Sequence, residues 1–157
     1  DVVTQAATRY VKQFSENSLR EEFRDRKRTP AGLAFHVFRV VEMGMQAAQQ
    51  IPLEFEGFND VPPDNWGGKD IADWGLKIRE QFLAWWAGEK DKTLQYLVPT
   101  YYGKRTMHDV LERTAWHSAQ HTRQLILMLQ TYGIEPHGAL TMEDLAGLPV
   151  PDEVWDR

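Results

Sequence analysis

Residues 106–133 read Thr106-Met107-His108-Asp109-Val110-Leu111-Glu112-Arg113-Thr114-Ala115-Trp116-His117-Ser118-Ala119-Gln120-His121-Thr122-Arg123-Gln124-Leu125-Ile126-Leu127-Met128-Leu129-Gln130-Thr131-Tyr132-Gly133. Thr106 stands as an N-cap with Asp109 three residues on, and Gly133 stands where a left-handed C′ glycine belongs. Between them runs a helix to Tyr132, about 40 Å long at 1.5 Å per residue, enough to span a bundle end to end. Val110, Thr114, His117, His121, Leu125 and Met128 share one stripe, which the apolar members turn towards a core.

The other helices follow by the same signals. A first helix covers about Val2 to Phe14, with Val3, Ala7, Tyr10, Val11 and Phe14 on its stripe. Ser18 and Glu21 read as a capping box for a short helix to about Arg26. The alternating charges from Arg20 to Arg28 read as a solvated face. Thr29-Pro30 starts a second long helix that runs to about Gln50 and is apolar on nearly all sides. Such a helix is expected to be covered by neighbours or by a partner subunit. Residues 51–68 hold three prolines and three glycines, a long crossover of the kind that is often functional. Asp70 to Trp86 is the third long helix, with Ile71, Trp74, Ile78, Phe82 and Trp85 on its stripe and Gly88 closing it. The tail from Glu135 carries a short helical candidate at Thr141 to Ala146, and Trp155 near its end is expected to pack on the body or on a partner chain. No strand signal stands out. The expected architecture is all-α: a four-helix bundle with one long crossover, forming one domain over 1–157 with a C-terminal extension from about 135.

Composition narrows the function. The chain has 157 residues, 42% of them hydrophobic and 26% charged, ordinary values for a globular domain. Its net charge of −5 argues against a general nucleic-acid binder. It contains no cysteine, which excludes disulfides, a thiolate nucleophile and Cys-ligated metal. Any metal must be held by His, Asp or Glu. No apolar run approaches the roughly 20 residues of a membrane helix, and no signal sequence opens the chain. The cytoplasm is the expected compartment. The chain opens on Asp1 rather than Met, which points to processing or to a longer parent.

Five histidines are present: His36, His108, His117, His121 and His137. His117 and His121, at i and i+4, place both imidazoles on one face, one turn apart, as two ligands of one metal require. The spacing alone is a weak signal. His36 lies on an inward stripe of the second long helix with Leu33, Val40 and Met43. Three buried imidazoles without partners would leave several polar atoms unsatisfied, at about 1–3 kcal/mol each, and one divalent ion satisfies all three. Three neutral histidines also leave a coordination position free, as in catalytic rather than structural zinc sites. Imidazole suits Zn, Ni, Cu or Fe, so the metal is not readable. His108, just inside the last helix, and His137, in the tail, are expected in solvent.

Two segments carry a resemblance. Leu33-Ala34-Phe35-His36-Val37-Phe38-Arg39-Val40-Val41-Glu42 resembles the second-helix histidine motif of the DinB/YfiT-like superfamily. Residues 111–125 resemble its fourth-helix motif, His117-x-x-x-His121 followed three residues later by Gln124. The resemblance covers about Val2 to Ile134. It implies a four-helix bundle, often a homodimer, with a divalent metal such as Zn, Ni or Fe on His36, His117 and His121. It also implies, for some members, thiol-dependent transfer or isomerisation with a low-molecular-weight thiol as co-substrate. The stretch from Thr141 to Trp155 resembles the tail of members in which this domain follows a glutaredoxin-like domain.

The resulting expectation is a metal-dependent thiol S-transferase or hydrolase acting on a small molecule, with no nucleic-acid or membrane partner. The competing expectation is a non-catalytic metal-binding or dimerising module. No general base is evident, since Glu42 and Glu112 read as solvated edge residues. Arg39 and Gln124 are candidates to reach the metal or to support its ligands, and Trp66 and Trp116 are candidates for a pocket mouth. Homodimerisation is expected because the apolar second helix and the aromatic content exceed what one bundle should cover.

Overall fold

The computed structural model describes residues 1–24 and 27–155. Among them the chain is mostly helical, with one small hairpin. The helices are α1 (Val2–Val11), α2 (Glu16–Arg20), α3 (Pro30–Ala48), α4 (Gly68–Gly88) and α5 (Met107–Thr131), and a 3-10 turn covers Phe55–Asn59. The strands are β1 (Leu97–Thr100) and β2 (Gly103–Thr106).

Local chemistry explains most boundaries. Thr29 Oγ1 accepts from the Gly32 N–H at 3.0 Å, and Pro30 opens α3. Thr106 and Asp109 form a reciprocal capping box at the start of α5. At its end the Ile134 N–H bonds to Leu129 O and the Gly133 N–H to Gln130 O, with Gly133 at φ +74°. That is the Schellman pattern, which the glycine permits without strain. α1 stops at Val11 rather than Phe14, and Phe14 stays buried edge-on to Tyr132. Ser15, not Ser18, caps α2, whose Ser18 N–H donates to it. α2 ends at Arg20, short of the end expected near Arg26, a residue that itself lies outside those described.

Two expectations need correction. The chain is not free of strands: β1 and β2 pair antiparallel from Leu97↔Thr106 to Thr100↔Gly103 around a Tyr101-Tyr102 turn. Four-residue strands carry too little alternation to register, and Pro99 masks β1. The segment from Thr141 to Ala146 is not a helix. Thr141 and Asp144 do cap each other, but the bonds that follow are i to i+3 and the chain turns away at Gly147, φ +85°.

α3 is the central element and touches α1, α4 and α5. No residue from Pro30 to Ala48 is exposed, so this chain covers its own apolar helix. Close packing requires small residues here. A Cβ at Gly75 of α4 would sit 2.4 Å from the ring of Phe38. Phe35 stacks on Trp74 at 4.3 Å between ring centroids. Leu53, in the crossover, donates its N–H to Pro99 O and ties the crossover to the hairpin. The tail returns over the body: Tyr10 OH and Arg9 Nη2 both donate to Gly138 O, and Trp155 packs on Phe23 at 5.2 Å. Among the described residues no helix is long and apolar enough to cross a membrane.

Candidate metal centre

α3 and α5 face each other, and their histidines meet at this contact. His36 Nε2 lies 3.1 Å from His117 Nε2, which lies 3.0 Å from His121 Nε2. One ring nitrogen from each falls within 4.8 Å of the other two. Tetrahedral ligands about 2.0–2.1 Å from zinc stand roughly 3.3 Å apart, so the trio is spaced for one ion.

The far side of two rings fixes their tautomers. His36 Nδ1–H donates to Phe58 O at 2.9 Å, and His121 Nδ1–H donates to Gln124 Oε1 at 2.7 Å. Gln124 must present its oxygen there because its NH2 donates to Val154 O at 3.1 Å. Both rings therefore turn an unprotonated Nε2 towards His117. At most one proton, on His117 Nε2, is available among three facing nitrogens. A divalent cation satisfies all three, and an all-imidazole set suits Zn, Ni, Cu or Fe rather than Mg or Ca.

Electrostatics keep the rings neutral. Burial first, then the charge on neighbouring groups, holds His121 down to about 3 and His117 down to about 4. Burial and then Arg28 lower His36 as well, against a smaller opposing effect of the Phe58 carbonyl. These pKa values lie below the ordinary 6.5, so the unfolded chain binds more protons in acid. Stability of the metal-free protein is therefore full above pH 6.5 and is lost as pH falls towards about 3. The expected slope is up to about 1.4 kcal/mol per pH unit for each imidazole that stays neutral only in the fold. Melting curves from pH 7 to pH 4.5 should show this loss, and His117→Ala should flatten it. An equal slope in that variant would mean that other groups carry the acid sensitivity.

Several candidates fall elsewhere. Arg39 does not face the trio. It pairs with Glu42 at 2.5 Å and Asp60 at 2.9 Å, and donates to Gly57 O. It thus pins the crossover on either side of Phe58, whose carbonyl orients His36. Glu42 is this arginine's partner, Glu112 is exposed, and His108 and His137 are exposed as expected. Trp66 packs with Phe35 and Trp74 away from the histidines. Trp116 lies 5.6 Å from the His117 ring but does not wall the adjoining cavity.

That cavity, about 210 Å3, is bordered by His36 and His117. Its rim comes from Phe55 and Phe58 of the crossover, expected to be functional, and from Tyr101 and Tyr102 of the hairpin turn, which the sequence left unassigned. Tyr101 packs edge-on to both phenylalanines at 5.4 and 5.8 Å. The Tyr101-Tyr102-Gly103 run, two aromatics before a glycine, was the available signal. The sequence also missed the strap over α5. Gln120 donates to Glu153 O and Val154 O, and Arg123 donates to Pro151 O and Asp152 O. The strap's Val154 carbonyl is the group that orients Gln124 towards His121.

The comparisons with known proteins agree with this geometry. The model of the DinB superfamily matches residues 1–125, which include all three histidines and Gln124 but not the strap. No curated protein and no solved structure matches the chain.

Proposed function

The chain belongs to the DinB superfamily, and from that premise we propose that His36, His117 and His121 hold one divalent metal ion used in chemistry on a small molecule. The reaction is thiol-dependent transfer or isomerisation, or metal-assisted hydrolysis. The observation that carries this reading is the convergence of three Nε2 atoms, two of them stripped of protons by acceptors behind the rings. In the same reading α1, α3, α4 and α5 are the four helices of the superfamily's bundle. When bound, the ion supplies Lewis acidity that favours the deprotonated form of a water or thiol. The protein has no cysteine, so the thiol must come from outside. His36 and His117 border the cavity where it would enter, while Gln124 and the strap close the His121 side.

A screen of low-molecular-weight thiols with electrophiles, run with zinc- or nickel-loaded protein, is the test. Metal-dependent conjugation that disappears in His121→Ala is expected. Failure of every thiol, and of ester and amide hydrolysis, would favour the second reading, a non-catalytic metal-binding module. One observation already leans that way: among the described residues no carboxylate lines the cavity to act as a base.

The expected homodimer now rests on a different face, since α3 is covered internally. Leu76, Leu83 and Trp86 lie along one side of α4 and are 37%, 37% and 38% exposed. We place the dimer contact there. Sedimentation at micromolar concentration should give twice the chain mass, and a monomer mass would exclude it.

A further inference from the structure

We propose that the cavity beside His36 and His117 binds a small organic oxyanion, a carboxylate or phosphate, between the guanidinium groups of Arg28 and Arg113. The proposal deepens the reading above, because it assigns a substrate class to the cavity beside the same histidines. Both arginines line that cavity, and no aspartate or glutamate among the described residues does. Neither arginine forms an ion pair among the described residues, whereas Arg39 is neutralised by Glu42 and Asp60, and Arg79 by Asp1. In a chain of net charge −5, two guanidiniums on one small cavity with no ion-pair partner among the described residues are a local excess of positive charge. A divalent ion on the histidines would add to that excess, and an anionic ligand relieves it.

The geometry also limits the ligand. The Arg113 guanidinium lies 5.3 Å from the centroid of the Tyr102 ring, which restricts where its fork can point. A guanidinium matches the two oxygens of a carboxylate or phosphate with paired donors. Phe55 and Tyr101 wall the cavity with apolar ring surface, which suits a flat body behind the anionic group. At about 210 Å3 the space is smaller than the roughly 300 Å3 at which drug-sized pockets begin. A polynucleotide or acidic protein segment is too large for it.

The test is calorimetric titration of benzoate, phenyl phosphate and neutral benzamide into metal-free and zinc-loaded protein. Parent, Arg28→Gln, Arg113→Gln and the double variant are compared, and zinc affinity is measured separately for each. Both side chains are exposed, so the substitutions leave the core intact. One or both anions should bind, benzamide at least tenfold more weakly, and each single variant should lose on the order of tenfold or more. The tighter of the two anions identifies the headgroup. Equal binding of benzamide, unchanged affinity in the double variant, or no binding of either anion would overturn the proposal. Arginine-dependent anion binding in a protein that takes up no zinc would instead remove the metal reading and leave this site standing.

Discussion

Zinc or nickel added to metal-free protein should raise its melting temperature by roughly 8–16 °C. The ligating histidines are neutral and preassembled in the fold and scattered in the unfolded chain, so the ion binds one state selectively. At a thousandfold excess over Kd the gain is about 4 kcal/mol, and each kcal/mol moves the midpoint of a domain this size by about 2–4 °C. His117→Ala should abolish most of the shift, since its Nε2 stands between the other two at 3.1 and 3.0 Å. His108→Ala should keep it, because that side chain is exposed at the start of α5. The shift is read within each variant, so any change in basal stability cancels. Equal shifts in all three proteins would place the ion elsewhere, among surface carboxylates. A shift lost in both variants would bring His108 into the site.

Removal of residues 150–157, or Gln124→Ala, should weaken zinc binding by roughly 10- to 100-fold, the usual effect of losing a group that orients a ligating histidine. The path is explicit: Val154 O accepts from Gln124, whose oxygen accepts from His121 Nδ1–H. Without the strap the Gln124 amide is free to rotate, and an NH2 turned towards His121 would favour the wrong tautomer. Gln124→Glu keeps an acceptor at that point and should restore most of the affinity, which a role in packing alone would not predict. Competition against a chromophoric zinc chelator measures all three. Parent-like affinity in both the truncated protein and Gln124→Ala would show that His121 needs no such support.

What the sequence disclosed was whatever depends on neighbours along one helix. The caps of α3 and α5, the C′ role of Gly133 and the shared face of His117 and His121 are fixed within a few residues, and they stand in the structure. The convergence of His36 on that face was expected from phase on two apolar stripes together with the resemblance of both segments to the DinB/YfiT-like motifs. What stayed hidden depends on partners distant in sequence. Arg39 has the same chemistry wherever it points, and only the fold of the crossover gives it Asp60 and the Gly57 carbonyl. The strap binds α5 through its own backbone carbonyls, which leave no trace in residue type. The Tyr101-Tyr102 turn sits on strands of four residues, too short for a period. α3 looked too apolar for one chain to cover, yet α1, α4 and α5 enclose it.

Anomalous diffraction at the zinc edge from zinc-loaded crystals shows whether His36, His117 and His121 ligate a single ion. One strong anomalous peak per chain is expected, about 2.0–2.2 Å from Nε2 of each of the three histidines. A peak bound by surface carboxylates, with the three imidazoles left hydrogen-bonded to one another and free of metal, would contradict it.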